Sequence, residues 1–383
     1  EGGNRYSTAA QINRENVRSL KPAWIHQTGA FEGREAARHR ASFQTTPILV
    51  EDALILCTQF NEVVALDPAS GALKWEYDPQ VPIDGRPGNE FTCRGVAHFL
   101  RSDTEDGACR SRVLMGTVEA ELIAVDADTG EPCRDFGEAG RVQIEPSLAL
   151  RWPGEFQITS APVVFEDVVI TGTSISDNLR TDAPLGTVHA FDAVTGEPLW
   201  KYNPIPWSAD GATRVGHANV WSTMSVDSER GLVFLPTSTA SPDYFGGERP
   251  GDNENANSVV ALDARTGEVV WAYQIVHHDV WDYDLPAQPG LYQIWDNGVA
   301  RDVVVQVTKM GLIFVLDRDT GEPVIPVEER AVPQDGVDGE VLSPTQPFPV
   351  RPEAVVPDRL DPGKAFGVTL WDKMACSAKL NQL

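Results

Sequence analysis

Val63 to Tyr77 reads VVALDPASGALKWEY, and nearly the same wording returns four times: LIAVDADTGEPC from Leu122, VHAFDAVTGEPLWKY from Val188, VVALDARTGEVVWAY from Val259 and IFVLDRDTGEPV from Ile313. Each copy is a strand-length apolar run closed by an aspartate (Asp67, Asp126, Asp192, Asp263, Asp317), two further residues, a Ser or Thr, and a glycine. Short polar side chains at such places bond the backbone of their own turn, and the glycine takes a positive φ that other residues resist. The aspartates are therefore read as turn builders rather than as catalytic groups. A second strand follows, and in three copies it carries a tryptophan at one offset, Trp75, Trp200 and Trp271, able to pack between neighbouring sheets.

The five aspartates lie 54 to 71 residues apart, more than a hairpin needs and close to a four-stranded blade with generous loops. Radial repetition about an axis, a β-propeller, explains why one hairpin formula should recur; a β-sandwich does not. The 32 glycines and 28 prolines break the chain too often for long helices, which also indicates an all-β fold. The length of 383 residues suits one large domain or two ordinary ones, and the repeat assigns it to a single propeller domain, residues 1–383.

With 31 basic and 56 acidic side chains the net charge is -25, which repels a phosphate backbone and argues against nucleic-acid binding. No apolar run is long enough to span a bilayer, and EGGNRYSTAA has no signal-peptide character, so the reading leaves a cytosolic chain or one whose targeting segment lies elsewhere. The five cysteines show no C-x-x-C metal spacing, and an odd number leaves one unpaired in an oxidising compartment. Cys57, inside ALILCTQF, reads as a buried small apolar residue.

The Asp-x-x-Thr-Gly copies, the opening RYSTAAQINRENVRSLKPAWIHQTG and the segment HHDVWDYDLPAQPGL together resemble the pyrroloquinoline-quinone (PQQ)-dependent dehydrogenases, eight-bladed propellers with tryptophan docking motifs. FTCRGVAHF, the stretch from VWSTMSVD to NSVVALDARTG, and the absence of adjacent cysteines are similar to the membrane-type glucose and quinate dehydrogenase branch. With five formulae where eight blades are implied, the propeller is expected to be incomplete, about five to six blades, and the chain truncated at its C-terminus.

The resemblance implies oxidation of a sugar or cyclic polyol by PQQ, with ubiquinone as electron acceptor. It also implies a periplasmic location facing the inner membrane, with membrane association through a segment not in this chain. It assigns Asp279 as general base, and Lys309, in VTKMGLIFVLD, as the cation beside the quinone oxygens. Trp221 is the aromatic floor beneath the cofactor, Asn219 a polar contact beside it, and Arg94 a partner for a cofactor carboxylate. Thr159 and Ser174 are further carboxylate contacts and Gln44 a contact to a ring-edge oxygen.

Asp177, Asn178, Thr239 and Asp279 form the implied cation set, all oxygen donors that suit calcium or magnesium and not zinc. A hydroxyl at Thr239 is a weaker ligand than the amide found there in many relatives. Read singly, Asp177-Asn178 is an Asx-turn, and His277 and His278 orient Asp279, line the substrate pocket or are hydrogen-bonded structural histidines. The alternatives to an enzyme are a non-catalytic propeller scaffold of the outer-membrane assembly type and an inactive quinoprotein fragment.

Overall fold

The structure is a computed structural model describing residues 2–3, 6–88, 90–176, 178–180, 182–205, 216–356 and 361–381. It contains four four-stranded antiparallel sheets, each with its strands in chain order. The first is Ile48–Val50, Ala53–Cys57, Val63–Leu66 and Leu73–Tyr77, and the second Ala97–Leu100, Ser111–Gly116, Glu121–Asp126 and Arg141–Gln143. The third is Val163–Phe165, Val168–Thr171, Val188–Asp192 and Pro198–Tyr202, and the fourth Ser225–Asp227, Leu232–Pro236, Ser258–Asp263 and Val269–Gln274. A three-stranded fifth sheet comprises Gly290–Asp296, Val299–Val307 and Ile313–Asp317.

The first strands of sheets two to five lie against one another in order. Sheets one to four edge an axial cavity of about 450 Å³ with Ile48, Ala97, Val163 and Val226. This is the radial arrangement of a propeller.

All five repeat turns form as the sequence predicts. In the first, Asp67 Oδ1 accepts from Ala69 N, Ser70 N and Ser70 Oγ, and Gly71 takes φ +71° while donating its N–H to the Asp67 carbonyl. Asp126, Asp192, Asp263 and Asp317 bond their own turns in the same way. In sheets one, three and four a register shift falls at one place in the strand before the turn: Ala65/Leu66, Ala190/Phe191 and Ala261/Leu262. Such a bulge twists the hairpin and re-aims the strand that follows.

That strand is mostly exposed, and in the first sheet only Trp75 of Leu73–Tyr77 is buried. Trp75 crosses to the second sheet, donates Nε1 to the Ala127 carbonyl at 3.0 Å and covers Gly130, where an added Cβ would meet the ring at 2.6 Å. Trp200 does the same to Ala264 and Gly267, and Trp271 to Arg318 and Gly321. Trp24, ahead of the first sheet, joins them by bonding the Pro68 carbonyl and covering Gly71.

Disulfides join Cys57 to Cys93 and Cys109 to Cys133, leaving Cys376 free and exposed. Cys57 is buried as expected, but as half of a crosslink. The helix Leu370–Leu380 begins with a capping box at Thr369 and buries none of its residues. Among the described residues no helix is long and apolar enough to cross a membrane.

Candidate active site

The strand Val269–Gln274 ends at one rim of the propeller, and Asp279 lies five residues beyond it, 3% exposed. Its two oxygens are unequal. Oδ2 accepts from Tyr283 N at 2.6 Å, Asn257 Nδ2 at 2.9 Å and the Thr239 hydroxyl, whereas among the described residues Oδ1 accepts only from Trp281 N, at 2.9 Å. Burial pushes the Asp279 carboxyl above its ordinary range; the bonds from Thr239, Trp281 and Tyr283 oppose this, and the charge of Asp284 adds to it.

Asp284 is the hub of the neighbouring contacts. Its Oδ1 accepts from Thr239 N at 2.7 Å, and its Oδ2 accepts from Trp221 Nε1 at 3.2 Å and from Lys309 Nζ at 3.3 Å. Lys309 Nζ also donates to the Asp282 carbonyl at 2.7 Å. Burial pulls the lysine downward, but Asp284 and Asp282 outweigh it, so its pKa is raised and the ammonium persists. Burial and Asp284 in turn raise Asp282.

Arg94 lies over the indole of Trp221, 4.7 Å from the ring centroid, and donates Nη1 to the Trp221 carbonyl at 3.1 Å. Thr159 Oγ1 donates to the same carbonyl at 3.0 Å. Among the described residues Arg94 has no acidic partner, and desolvation alone pulls its guanidinium down to about 10. Asn219 donates Nδ2 to the Thr173 carbonyl and accepts from Ser238, the neighbour of Thr239.

Asp279, Lys309, Trp221, Arg94, Thr159, Thr239 and Asn219 thus belong to one connected patch. Gln44 and Ser174 reach it only through neighbours. Gln44 is exposed and bonds Ser42, two residues before it and four before Thr46, whose N–H bonds the Arg94 carbonyl; Ser174 pairs with Gln157 next to Thr173. His277 bonds Gln274 and Glu329, and His278 bonds Gly251 and Glu340, so both are held by structural partners.

Of the cation set, Asp177 lies outside the described residues. Asn178 Nδ2 donates to Asp243 Oδ2 at 2.9 Å, and Arg249 carries the connection from the Asp243 carbonyl to that of Asp279. Among the described residues no group of three or more His, Cys, Asp or Glu could by itself hold a metal. The oxygens available are the amide of Asn178, the hydroxyl of Thr239 and the carboxylate of Asp279, a donor chemistry that fits a hard cation.

Sequence reading misses Asp243, Arg249, Asn257, Asp284 and Glu340. Four of them sit in loops rich in Gly, Pro, Asn or Asp, where a polar side chain normally reads as solvated. Only Asp284, within the acidic run of HHDVWDYD, carries a signal.

The whole chain, residues 1–383, matches the family described as "PQQ: Glucose/ethanol/alcohol dehydrogenase, beta-propeller domain". It is 36% identical over 394 residues to the quinoprotein glucose dehydrogenase of Escherichia coli (strain K12), covering 100% of this chain and 49% of that one. It is also 36% identical over 400 residues to the quinate/shikimate dehydrogenase (quinone) of Acinetobacter baylyi (strain ATCC 33305 / BD413 / ADP1), covering 98% and 49%. The crystal structure of the quinohemoprotein alcohol dehydrogenase from Comamonas testosteroni superposes with a TM-score of 0.70 at 26% identity, covering 91% of this chain and 50% of that one. The chain spans about half the length of the curated relatives it matches. With the repeat turns, the docked indoles and these matches in agreement, the chain belongs to the PQQ-dependent glucose/ethanol/alcohol dehydrogenase family and carries its β-propeller fold.

Proposed function

We propose that this chain supplies the cofactor-binding face of a PQQ-dependent dehydrogenase that oxidises a hydroxyl of a sugar or cyclic polyol of the glucose or quinate type. One observation carries the reading: Arg94 is a largely desolvated guanidinium with no acidic partner among the described residues, laid over an indole beside Lys309 and Asp284. Open cationic donors next to an aromatic face suit a flat tricarboxylate such as PQQ. When bound, PQQ supplies the two-electron acceptor for the substrate's hydride.

The protein's part follows from the geometry. Oδ2 of Asp279 is saturated by three donors, so Oδ1, with a single backbone donor, is the oxygen free to take the hydroxyl proton. The raised pKa of its carboxyl increases its strength as a base. Trp221 and Arg94 would hold the cofactor, with Thr159, Asn219, Ser174 and Gln44 around its edge, and Lys309 would place its charge against an oxygen that gains electron density. Asn178, Thr239 and Asp279, with Asp177, would hold calcium or magnesium.

Electrons leave to ubiquinone in this reading, and the compartment is the periplasm at the inner membrane, with attachment through a segment outside this chain. Two disulfides support an oxidising compartment.

The test pairs binding with turnover. PQQ with calcium or magnesium should raise the melting temperature of the chain, and a chain that does not respond, as a scaffold would not, refutes the reading. Asp279→Asn, which keeps an oxygen donor but loses the charge, should retain a thermal response at raised cation concentration while dye reduction with glucose or quinate falls by roughly 10²-fold or more. Turnover retained in that variant would remove Asp279 from the role of base.

A further inference from the structure

Behind Asp279 lies a charge that the proposed chemistry does not use. Arg249 is 1% exposed, among the largest fully buried side chains of the molecule. Its Nε donates to the Pro242 carbonyl at 3.0 Å, Nη1 to Asn253 Oδ1 at 2.7 Å, and Nη2 to the Asp243 carbonyl at 3.3 Å and to the Asp279 carbonyl. Every one of these acceptors is neutral, and among the described residues no carboxylate oxygen pairs with it directly. An interior guanidinium without a counter-ion in contact is costly, and an apolar side chain would fill the space at less expense.

What the arginine does is join two loops. One runs from Thr239 to Asn257 and holds Thr239, Asp243 and Asn257; the other runs from Val276 to Pro286 and holds Asp279 and Asp284. Through Asp243 the first loop also grips Asn178. A single planar fork therefore sets the backbone of Asp279 against the backbone from which the amide of Asn178 is steered. Desolvation pulls the Arg249 guanidinium below its ordinary value, and the carboxylates of Asp279, Asp243 and Glu340, near it but not in contact, offset only part of that cost. Glu340 fixes the far side: with its side chain 3% exposed, it accepts from Gly246 N at 2.7 Å and lies 3.3 Å from His278 Nε2.

We propose that Arg249 is a positioning residue of the redox site, fixing the distance between the loop of the base and the loop that orients the cation ligands. The inference rests on the function proposed above. A planar fork with several donors can hold four acceptors at once, whereas a lysine ammonium, with three donors on a flexible stem, cannot reproduce that geometry.

The experiment uses the full chain, wild type, Arg249→Met, Arg249→Lys and Asn253→Ala. Calcium is titrated by melting temperature with and without PQQ, and kcat and KM are measured with PQQ and calcium present. In Arg249→Met the calcium midpoint should rise by roughly 10- to 100-fold, as when a partner that orients a metal ligand is removed. Its kcat should fall by roughly 10²-fold with the sugar KM little changed, because the change misplaces the base.

Arg249→Lys should recover part of both quantities. Asn253→Ala, which removes one acceptor of the fork, should show a smaller version of both, and these two decide the matter if Arg249→Met does not fold. A lowered melting temperature with native calcium midpoint and native kcat in the folded variants would make Arg249 a purely structural residue and overturn the proposal. A wild-type chain that does not respond to PQQ and calcium removes the functional reading and this inference together; a wild-type response that the variants leave unchanged removes only this inference.

Discussion

Where the first sheet meets the second, Trp75 covers Gly130 with its ring and gives its N–H to the Ala127 carbonyl. Where the second meets the third, no tryptophan among the described residues closes the junction. Gly196 is covered instead by Val142 and Phe136, and Arg112, 0% exposed, donates to the carbonyls of Ala193 and Val194. Ala193 holds the same place after its turn aspartate as Ala127 does after Asp126. The two junctions therefore meet one demand: an apolar cover for a glycine in the left-handed region and a donor for the carbonyl that follows the aspartate. An indole meets both at once, and without it two kinds of residue share the task.

The divided solution brings charge into the interior. Arg112 also bonds the Cys109 carbonyl and Asp135, and elsewhere at the same junction Glu145 of the second sheet's trailing segment bonds Lys201 of the third sheet and approaches His189 Nε2 at 3.5 Å. Burial, helped by Lys201, pulls His189 down to about 3. The second junction should accordingly respond to acid through His189.

The strongest test of this contrast is Arg112→Met, which leaves three carbonyls without their donor. We expect a loss of about 3 kcal/mol, read as the urea midpoint; a loss below about 1 kcal/mol would mean that Val142 and Phe136 suffice. Next comes acid. Between the His189 value of about 3 in the folded chain and the ordinary 6.5, the unfolded chain binds the extra proton, so stability is lost as pH falls through that window. His189→Gln should restore roughly 2 kcal/mol at pH 5 relative to its effect at pH 8, and equal effects at the two pH values would refute the assignment. The smallest effect belongs to Trp75→Phe, which keeps the cover and deletes only the donor. A cost of about 1 kcal/mol with no pH dependence is expected in thermal melts.

The same division explains what the sequence can reveal. Turns such as Asp67–Gly71 are legible because their chemistry is local, and Trp75, Trp200 and Trp271 because they keep a fixed offset from those turns. Trp24 escapes because it precedes the first formula. Arg112 escapes because SRVLMG reads as any strand and the carbonyls it serves at Ala193 and Val194 belong to a different sheet. At the site, Asp279, Lys309, Trp221, Arg94, Thr159 and Thr239 are named through the family resemblance and do lie together. Asn178 is tied in by Asp243, a residue with no motif around it, and Gln44 and Ser174 stand one neighbour removed. Arg249 is invisible because GERPGDNENAN has the composition of a solvated loop, and only the fold turns that arginine inward.

Both disulfides fall before residue 134, within the first two sheets and their connections, whereas among the described residues the later sheets hold together by packing, hydrogen bonds and ion pairs such as Arg318–Asp227, with no covalent crosslink. In a chain delivered N-terminus first to an oxidant, these staples can close while everything beyond Cys133 is still arriving. A reductant should accordingly loosen the early blades and expose them to proteases ahead of the rest.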